Sequence, residues 1–149
     1  MIRPVLAGAA LLAVLSAGLG ASAVAQEDVI ATRKNTMKGV GAATGQGTKF
    51  VKGEEPFDLA KALAILDAYA GAAAKMPGYY PETAKTGGQT SASPKIWETK
   101  ADFDARFAAW AADTEKAKTQ VKDLDSFKAE FSTLTRACGS CHQTYRQRT

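Results

Sequence analysis

The sequence predicts an all-α protein that folds as an antiparallel four-helix bundle. Beyond the first 25 residues, no segment shows the alternation of apolar and polar residues that is typical of a half-buried strand. Apolar residues instead recur every three or four positions in four separate segments. Two short links and one longer connection join these segments, and helices of similar length joined in this way pack antiparallel around one core.

Residues 1–25 have the features of a secretory signal peptide. Arg3 supplies a positive charge, residues 5–20 form an apolar stretch, and the Ala-Val-Ala sequence that ends at Ala25 is a small-residue cleavage site. The apolar stretch is short for a helix that spans a bilayer. We therefore expect cleavage after Ala25, export to the periplasm without stable membrane insertion, and one mature domain over residues 26–149.

The first helix is predicted from about Glu27 to Phe50. Its inward-facing side chains are spaced by three or four residues: Ile30, Arg33, Met37, Val40 and Thr44. Four glycines, at positions 39, 41, 45 and 47, each cost a helix interior roughly 1 kcal/mol relative to alanine. Close approach of a neighbouring helix or of a flat ligand would explain them, as would local fraying near Met37.

The second helix is predicted to begin near Asp58, which is a suitable N-cap, and to end at Pro77. Its expected apolar face contains Leu59, Leu63, Leu66, Tyr69, Ala70 and Ala73. Residues 77–95 then form a long irregular connection with three prolines and two adjacent glycines. A loop of this length in a small domain is typical of a segment that covers a site.

The third helix is predicted from about Thr99, where Thr99 and Asp102 resemble a capping box. An acidic turn over residues 122–125 separates it from the fourth helix, for which Asp125 is the expected N-cap. The fourth helix has a heptad-like inward stripe made of Phe127, Phe131, Leu134, Cys138, Cys141 and Tyr145.

Residues 138–142 read Cys-Gly-Ser-Cys-His, the C-x-x-C-H pattern of c-type haem attachment. A zinc site needs about four ligands, and the chain has no Cys or His outside this motif. A thioredoxin-like dithiol would lie near a βαβ unit, for which the sequence offers no strands. The motif therefore predicts one covalently attached haem c, held by Cys138 and Cys141, with His142 as an axial ligand.

A second axial ligand must come from upstream, because only about two helical turns follow the motif. Once Met1 is removed with the signal peptide, the strong-field candidates are Met37 and Met76. Met76 lies at the end of the second helix, where a packing role is expected. Met37 lies on the inward stripe of the first helix, and its position suits a ligand and a flexible core residue equally well.

Four segments of the chain, in order, resemble the class II cytochromes c, the family that includes cytochrome c′ and its low-spin relatives. The matching segments are RKNTMK at 33–38, VKGEEPFD at 51–58, SPKIW at 93–97 and CGSCHQTYR at 138–146. The resemblance covers essentially the whole mature chain. It implies a four-helix bundle with the haem near one end, Cys138 and Cys141 as thioether anchors, and His142 as the proximal ligand.

The resemblance also implies roles for residues around the haem. Arg33 matches a position near a haem propionate, Trp97 a tryptophan that lines the haem, and Arg146 the basic residue one turn beyond the proximal histidine. A surface charge for Arg33 and core packing under the loop for Trp97 remain open alternatives. Met37 stands where the low-spin c-556 branch has a methionine, which favours Met37 as the distal ligand.

We therefore expect an exported one-electron carrier with a low-spin haem ligated by His142 and Met37, because this ligand pair saturates the iron and raises its potential. Other redox proteins are the expected partners, and the carrier is expected as a monomer or a homodimer. Nucleic acid is not expected, since the basic residues are scattered and the net charge is only +4. No base or nucleophile marks a substrate pocket, so no enzymatic activity is expected. The alternative is a five-coordinate cytochrome c′ that binds nitric oxide or carbon monoxide.

Overall fold

A computed structural model describes the backbone of residues 17–147 and the side chains of residues 28–147. Residues 1–16 of the predicted signal peptide, and the side chains at its cleavage site, lie outside the described residues. The helices are α1 (Ala17–Lys52), α2 (Leu59–Lys75), α3 (Lys95–Glu98), α4 (Lys100–Gln120) and α5 (Leu124–Tyr145). Within the described range no helix is long and apolar enough to cross a membrane.

The four long helices form a closed ring in which each one contacts its neighbours. Helix α1 packs against α2, α2 against α4, α4 against α5, and α5 against α1. No strand is present between residues 17 and 147, where the only pairing of this kind is an isolated bridge between Ala92 and Arg146. The predicted all-α four-helix bundle is therefore confirmed, with the one-turn helix α3 as an addition in the long connection.

The beginning of α2 agrees with the sequence, because the Asp58 side chain accepts a hydrogen bond of 2.9 Å from the backbone nitrogen of Lys61. The buried face of this helix differs in part from the predicted one. Leu66 and Tyr69 are fully buried, but Leu59, in the first turn, is 40 % exposed. The core side of α2 is formed instead by Ala62, Ile65, Leu66, Tyr69, Ala72 and Ala73.

Two predicted caps are wrong. The Thr99 side chain does not cap α4; its hydroxyl donates backwards to the Lys95 carbonyl, because α3 ends at this point. Helix α5 is capped by Asp123 rather than Asp125. The Asp123 carboxylate accepts from the Ser126 backbone nitrogen at 2.9 Å, and the Ser126 hydroxyl accepts from that of Asp123 at 3.0 Å. This reciprocal capping box places Asp125 inside the first turn.

The inward stripe of α5 is confirmed. Phe127, Phe131, Leu134 and Tyr145 are buried, and the two cysteines between them are half-buried. Aromatic rings from several elements pack around this stripe, with Phe50 and Phe57 against Phe127 at one end of the bundle and Phe103 against Tyr145 at the other. Core packing therefore fixes the direction in which the C-x-x-C-H segment faces.

Close approach explains one of the four glycines of α1. A Cβ atom at Gly47 would lie 2.4 Å from Cε2 of Phe131, whereas one at Gly39, Gly41 or Gly45 would meet nothing within 4 Å. The helix continues through all four positions. Gly47 therefore allows α1 and α5 to approach closely at the Phe131 ring.

We predict that Gly47→Ala lowers the free energy of unfolding. The Phe131 ring cannot move freely, because it is buried and stacked on Phe127 at 5.1 Å, and overpacking of this kind typically costs about 1–3 kcal/mol. The matched control is Gly45→Ala, which adds a methyl group to open space and should be neutral or stabilising by up to about 1 kcal/mol. Urea unfolding of both variants measures the difference, and equal effects would contradict the close approach.

Candidate functional site

A cavity of about 780 Å³ opens between α1, α4 and α5. This volume lies within the range of about 300–1,000 Å³ that is typical of sites for small molecules and cofactors. Its walls are mainly apolar and aromatic, and they include Val40, Ile96, Phe103, Phe107, Trp110 and Tyr145. The three chemically distinctive residues of the C-x-x-C-H segment, Cys138, Cys141 and His142, all line it.

Helix α5 brings the two thiols to the same cavity wall because they are three residues apart on its inward stripe. Both thiols are free, half-buried and packed against the core. Burial raises the pKa of Cys138 and of Cys141, so both are neutral thiols at physiological pH. This arrangement presents two thiols to one edge of a ligand in the cavity, as attachment of a haem requires.

His142 follows the second thiol and lies at the mouth of the cavity. The residue is exposed overall, but partial desolvation of its imidazole lowers the pKa of His142, and the positive charge of Arg146 lowers it further. The neutral imidazole, which is the form that binds metals, is therefore favoured.

The structure separates the two methionine candidates. Met37 lines the same cavity from α1 and is half-buried. Met76 is fully buried in the hydrophobic core and does not line the cavity. Met37 is therefore the described methionine that lines the same cavity as the C-x-x-C-H segment.

Arg33 is buried in the cavity wall, where its guanidinium holds the long connection. Its Nη1 donates to the carbonyls of Ala84 at 3.1 Å and Tyr79 at 3.4 Å, and its Nη2 donates to the Thr90 hydroxyl at 2.6 Å. The cation also lies 4.8 Å from the centre of the Tyr80 ring. Burial lowers the pKa of Arg33, but the group remains charged.

The buried charge of Arg33 has no ion-pair partner among the carboxylates of the described residues, although the side chain is only 3 % exposed. Trp110 also lines the cavity, and its buried indole N–H has no hydrogen-bond partner in the described structure. Buried charges and donors normally have partners. The cavity therefore suits a flat apolar ligand that bears carboxylates, which fits a haem with its propionates.

The other two sequence candidates lie in different surroundings. Arg146 lines the cavity and is exposed. Trp97 is not among the lining residues; its indole nitrogen donates to the carbonyls of Tyr80 and Pro81, both at 3.1 Å. This geometry favours the packing role under the loop that the sequence left open for Trp97.

Sequence reasoning missed a polar cluster on the α4 side of the cavity, formed by Asp102, Arg106 and Tyr145. The sequence predicts a capping role for Asp102 and a position in the core stripe for Tyr145, and it indicates no role for Arg106. The spacing of Asp102 and Arg106 by four residues on a helix is the signal that could have indicated their ion pair. Their contact with Tyr145 spans 43 positions and has no local signal.

The cytochrome c′ family model matches residues 28–146 of this chain. Cytochrome c′ of Rhodopseudomonas palustris is 44% identical over 91% of this chain and 90% of its own length. Cytochrome c-556 of the same organism is 34% identical over 99% of each chain. The solved cytochrome c′ from this organism superposes with a TM-score of 0.79 at 43% identity, covering 82% of this chain and 98% of its own. An NMR-validated model of oxidized R. palustris cytochrome c556 gives a TM-score of 0.75 at 31% identity, covering 82% and 98%.

We predict that Arg33→Met loosens the connection over residues 79–90 and lowers the free energy of unfolding by roughly 2–4 kcal/mol. Hydrogen bonds from a charged group contribute about 1.5–3 kcal/mol each. Part of this loss is offset because the variant no longer buries a charge. Hydrogen exchange of the loop amides and urea unfolding measure the two effects. Lys34→Met, at the exposed neighbouring position, is the control and should change neither. Unchanged loop protection in Arg33→Met would contradict the anchoring role.

Proposed function

The chain belongs to the cytochrome c′ family, and on that premise we propose that it is a periplasmic one-electron carrier with a low-spin haem ligated by His142 and Met37. The cofactor of this family is a covalently attached haem c. The observation that carries the proposal is the position of Met37, which lines the cavity shared by Cys138, Cys141 and His142. No other methionine of the described chain lines that cavity.

The residues of the cavity have distinct proposed roles toward the cofactor. Cys138 and Cys141 form the two thioether bonds, and His142 binds the iron as a neutral imidazole. Met37 supplies the second axial ligand from α1, and Arg33 offers its unpaired positive charge to a propionate. When bound, the haem supplies an iron centre that exchanges one electron.

A thioether on the distal side supports electron transfer over gas binding. With histidine and methionine as ligands, iron has no free coordination position, and the pair raises the reduction potential relative to weaker donors. The apolar walls of the cavity exclude water and disfavour the extra charge of the ferric state. Both effects stabilise the ferrous state. Because the two ligands stay in place in both oxidation states, little rearrangement accompanies a one-electron exchange with other redox proteins that meet the exposed cavity mouth.

A five-coordinate haem that binds nitric oxide or carbon monoxide is the second candidate function. It is favoured by the 44% identity to a relative named cytochrome c′, which exceeds the identity to the relatives named c-556. In that case Met37 packs against the cavity wall and leaves the iron accessible. The two candidates share the bundle and the anchors, and they differ at the distal ligand.

Export to the periplasm is proposed from the signal-peptide features of residues 1–25 and from the chemistry of the motif. Haem is attached to C-x-x-C-H segments outside the bacterial cytoplasm. The charged residues Glu27 and Asp28, which follow Gln26 just after the proposed cleavage site, suit a processed N-terminus rather than a membrane anchor.

The distal ligand is tested by optical spectroscopy of the wild-type haem protein and of Met37→Leu. The wild type should be low-spin in both oxidation states and insensitive to carbon monoxide, because both axial positions are filled. Met37→Leu should become high-spin in the ferrous state and bind carbon monoxide. Met76→Leu, a change in the core outside the cavity, is the control and should retain the wild-type spectrum. A wild-type ferrous spectrum that is high-spin and shifts with carbon monoxide would favour the second candidate.

The covalent anchors are tested by the mass of the denatured polypeptide. The wild type should retain one haem after extraction with acidified solvent, and the double variant Cys138→Ala/Cys141→Ala should lose it, because no thioether remains. Ser140→Ala, an exposed residue between the two thiols, is the control and should retain the haem. Retention in the double variant would show that attachment occurs elsewhere.

A further inference from the structure

Asp102, Arg106 and Tyr145 form a connected polar cluster between α4 and α5, in which Arg106 and Tyr145 line the cavity and Asp102 is exposed beside it. The Tyr145 hydroxyl donates to Oδ2 of Asp102 at 2.5 Å, and Nε of Arg106 donates to the same oxygen at 2.9 Å. The Arg106 guanidinium lies 5.4 Å from the centre of the Tyr145 ring. The Thr99 hydroxyl lies 3.0 Å from that of Tyr145. One carboxylate oxygen thus joins an ion pair to a buried phenol.

The cluster lies beside the proposed attachment edge of the haem. Arg106 and Tyr145 line the cavity together with Cys141 and His142. The Arg106 guanidinium faces the Tyr145 ring, which lies one turn beyond Cys141 on α5, so the ion pair lies near that anchor. A charge imbalance in the pair would act on the iron across the apolar cavity, reduced by the water that reaches these partly exposed side chains.

Tyr145 also fixes the last turn of α5, which carries His142. Its carbonyl accepts from the Ser93 backbone nitrogen at 2.9 Å, and the Gln147 nitrogen donates to the Ser91 carbonyl at 2.8 Å. The hydroxyl bond to Asp102 adds a third attachment, this one to α4. The position of the carboxylate is thereby tied to the helix turn that bears the proposed proximal ligand.

Both members of the ion pair are charged at neutral pH. The hydrogen bond from Tyr145, followed by that from Arg106, lowers the pKa of Asp102, and the bond to Asp102 raises the pKa of Arg106. The pair is therefore electrically balanced. The other charged side chains on the cavity lining are Arg33, Lys34, Lys38, Asp113 and Arg146.

We propose that the Asp102–Arg106 pair, held in place by the Tyr145 hydroxyl, sets the reduction potential of the haem by cancelling the charge of Arg106 beside Cys141. Reduction lowers the charge at the iron by one, so an uncompensated cation nearby stabilises the ferrous state and raises the potential. An uncompensated carboxylate has the opposite effect. The three residues act through position and charge and are not ligands. This proposal rests on the proposed function in that it requires a haem in the cavity, but it holds whether Met37 ligates or not.

The test is a double-mutant cycle on the midpoint potential of the haem protein. Asp102→Asn keeps an acceptor for Tyr145 and Arg106 but removes the negative charge, and it should raise the ferrous-to-ferric ratio at a fixed solution potential about three- to tenfold. Arg106→Gln should lower that ratio by a similar factor. The double variant should return close to the wild-type value, because both charges are gone.

The matched control is the Lys100–Asp104 pair on the same helix, whose members are separated by 2.5 Å and are exposed to a similar degree. Neither member of this pair lines the cavity, whereas Arg106 of the tested pair does. Asp104→Asn should shift the ratio far less than Asp102→Asn. Shifts of the same sign in Asp102→Asn and Arg106→Gln, or a shift in Asp104→Asn as large as in Asp102→Asn, would overturn the proposal.

The role of Tyr145 has a readout that does not depend on electron transfer. Tyr145→Phe should increase hydrogen exchange in the last turn of α5 and, because Asp102 is then less firmly held, move the ferrous-to-ferric ratio in the same direction as Asp102→Asn but less far. Unchanged exchange and an unchanged ratio would remove Tyr145 from the proposal. If the wild-type protein is high-spin and binds carbon monoxide, the proposed carrier function is rejected. The opposite shifts expected for Asp102→Asn and Arg106→Gln would still test the role of the ion pair.

Discussion

The placement of the C-x-x-C-H segment on the inward stripe of α5 is the constraint on which the rest of the structure depends. Phe127, Phe131 and Leu134 anchor the first half of this helix in the core, so the same helical face continues inward where Cys138 and Cys141 occur. At this end of the bundle a cavity lies between α1, α4 and α5, with Cys138, Cys141 and His142 on its wall. Toward the other end, Gly47 lets α1 approach the Phe131 ring.

Arg33 helps to hold the long connection over the cavity without filling the cavity. Its guanidinium donates to carbonyl and hydroxyl groups of the connection between α2 and α3, in addition to the hydrogen bonds that Trp97 and the end of α5 make with this connection. Burying a cation without a carboxylate is costly unless another anion completes the site. The same side chain thus closes the fold and leaves a positive charge for the proposed cofactor, which links the order of the loop to occupancy of the cavity.

The parts of the structure that follow from local sequence were predictable. Helical spacing defined the four long helices, the Asp58 cap and the inward stripes that contain Met37, Cys138 and Cys141, because these features depend on neighbours one or two turns away. The missed features depend on contacts between distant residues. Arg33 reaches Ala84 and Thr90, and Tyr145 reaches Asp102, across separations of 43 to 57 positions. The two wrong caps have a local cause. Several acidic or hydroxyl residues near the start of each helix are suitable N-caps, and small differences in the path of the backbone decide which of them accepts the capping hydrogen bond.

The two arginines of the cavity wall, Arg33 and Arg106, have different surroundings, and their charges therefore have different proposed effects on the ligand. Arg33 is buried and has no carboxylate partner, so its charge remains available to the ligand; Arg106 is partly exposed and paired, so its charge is cancelled at the Cys141 edge. Neither arrangement depends on whether Met37 is a ligand. The packing of the bundle, the anchors and the electrostatics of the wall are therefore compatible with a carrier and with a gas binder alike. Relatives named cytochrome c′ and cytochrome c-556 are both similar to this chain in sequence and fold, and in our proposal the two functions diverge at a single side chain of α1, Met37.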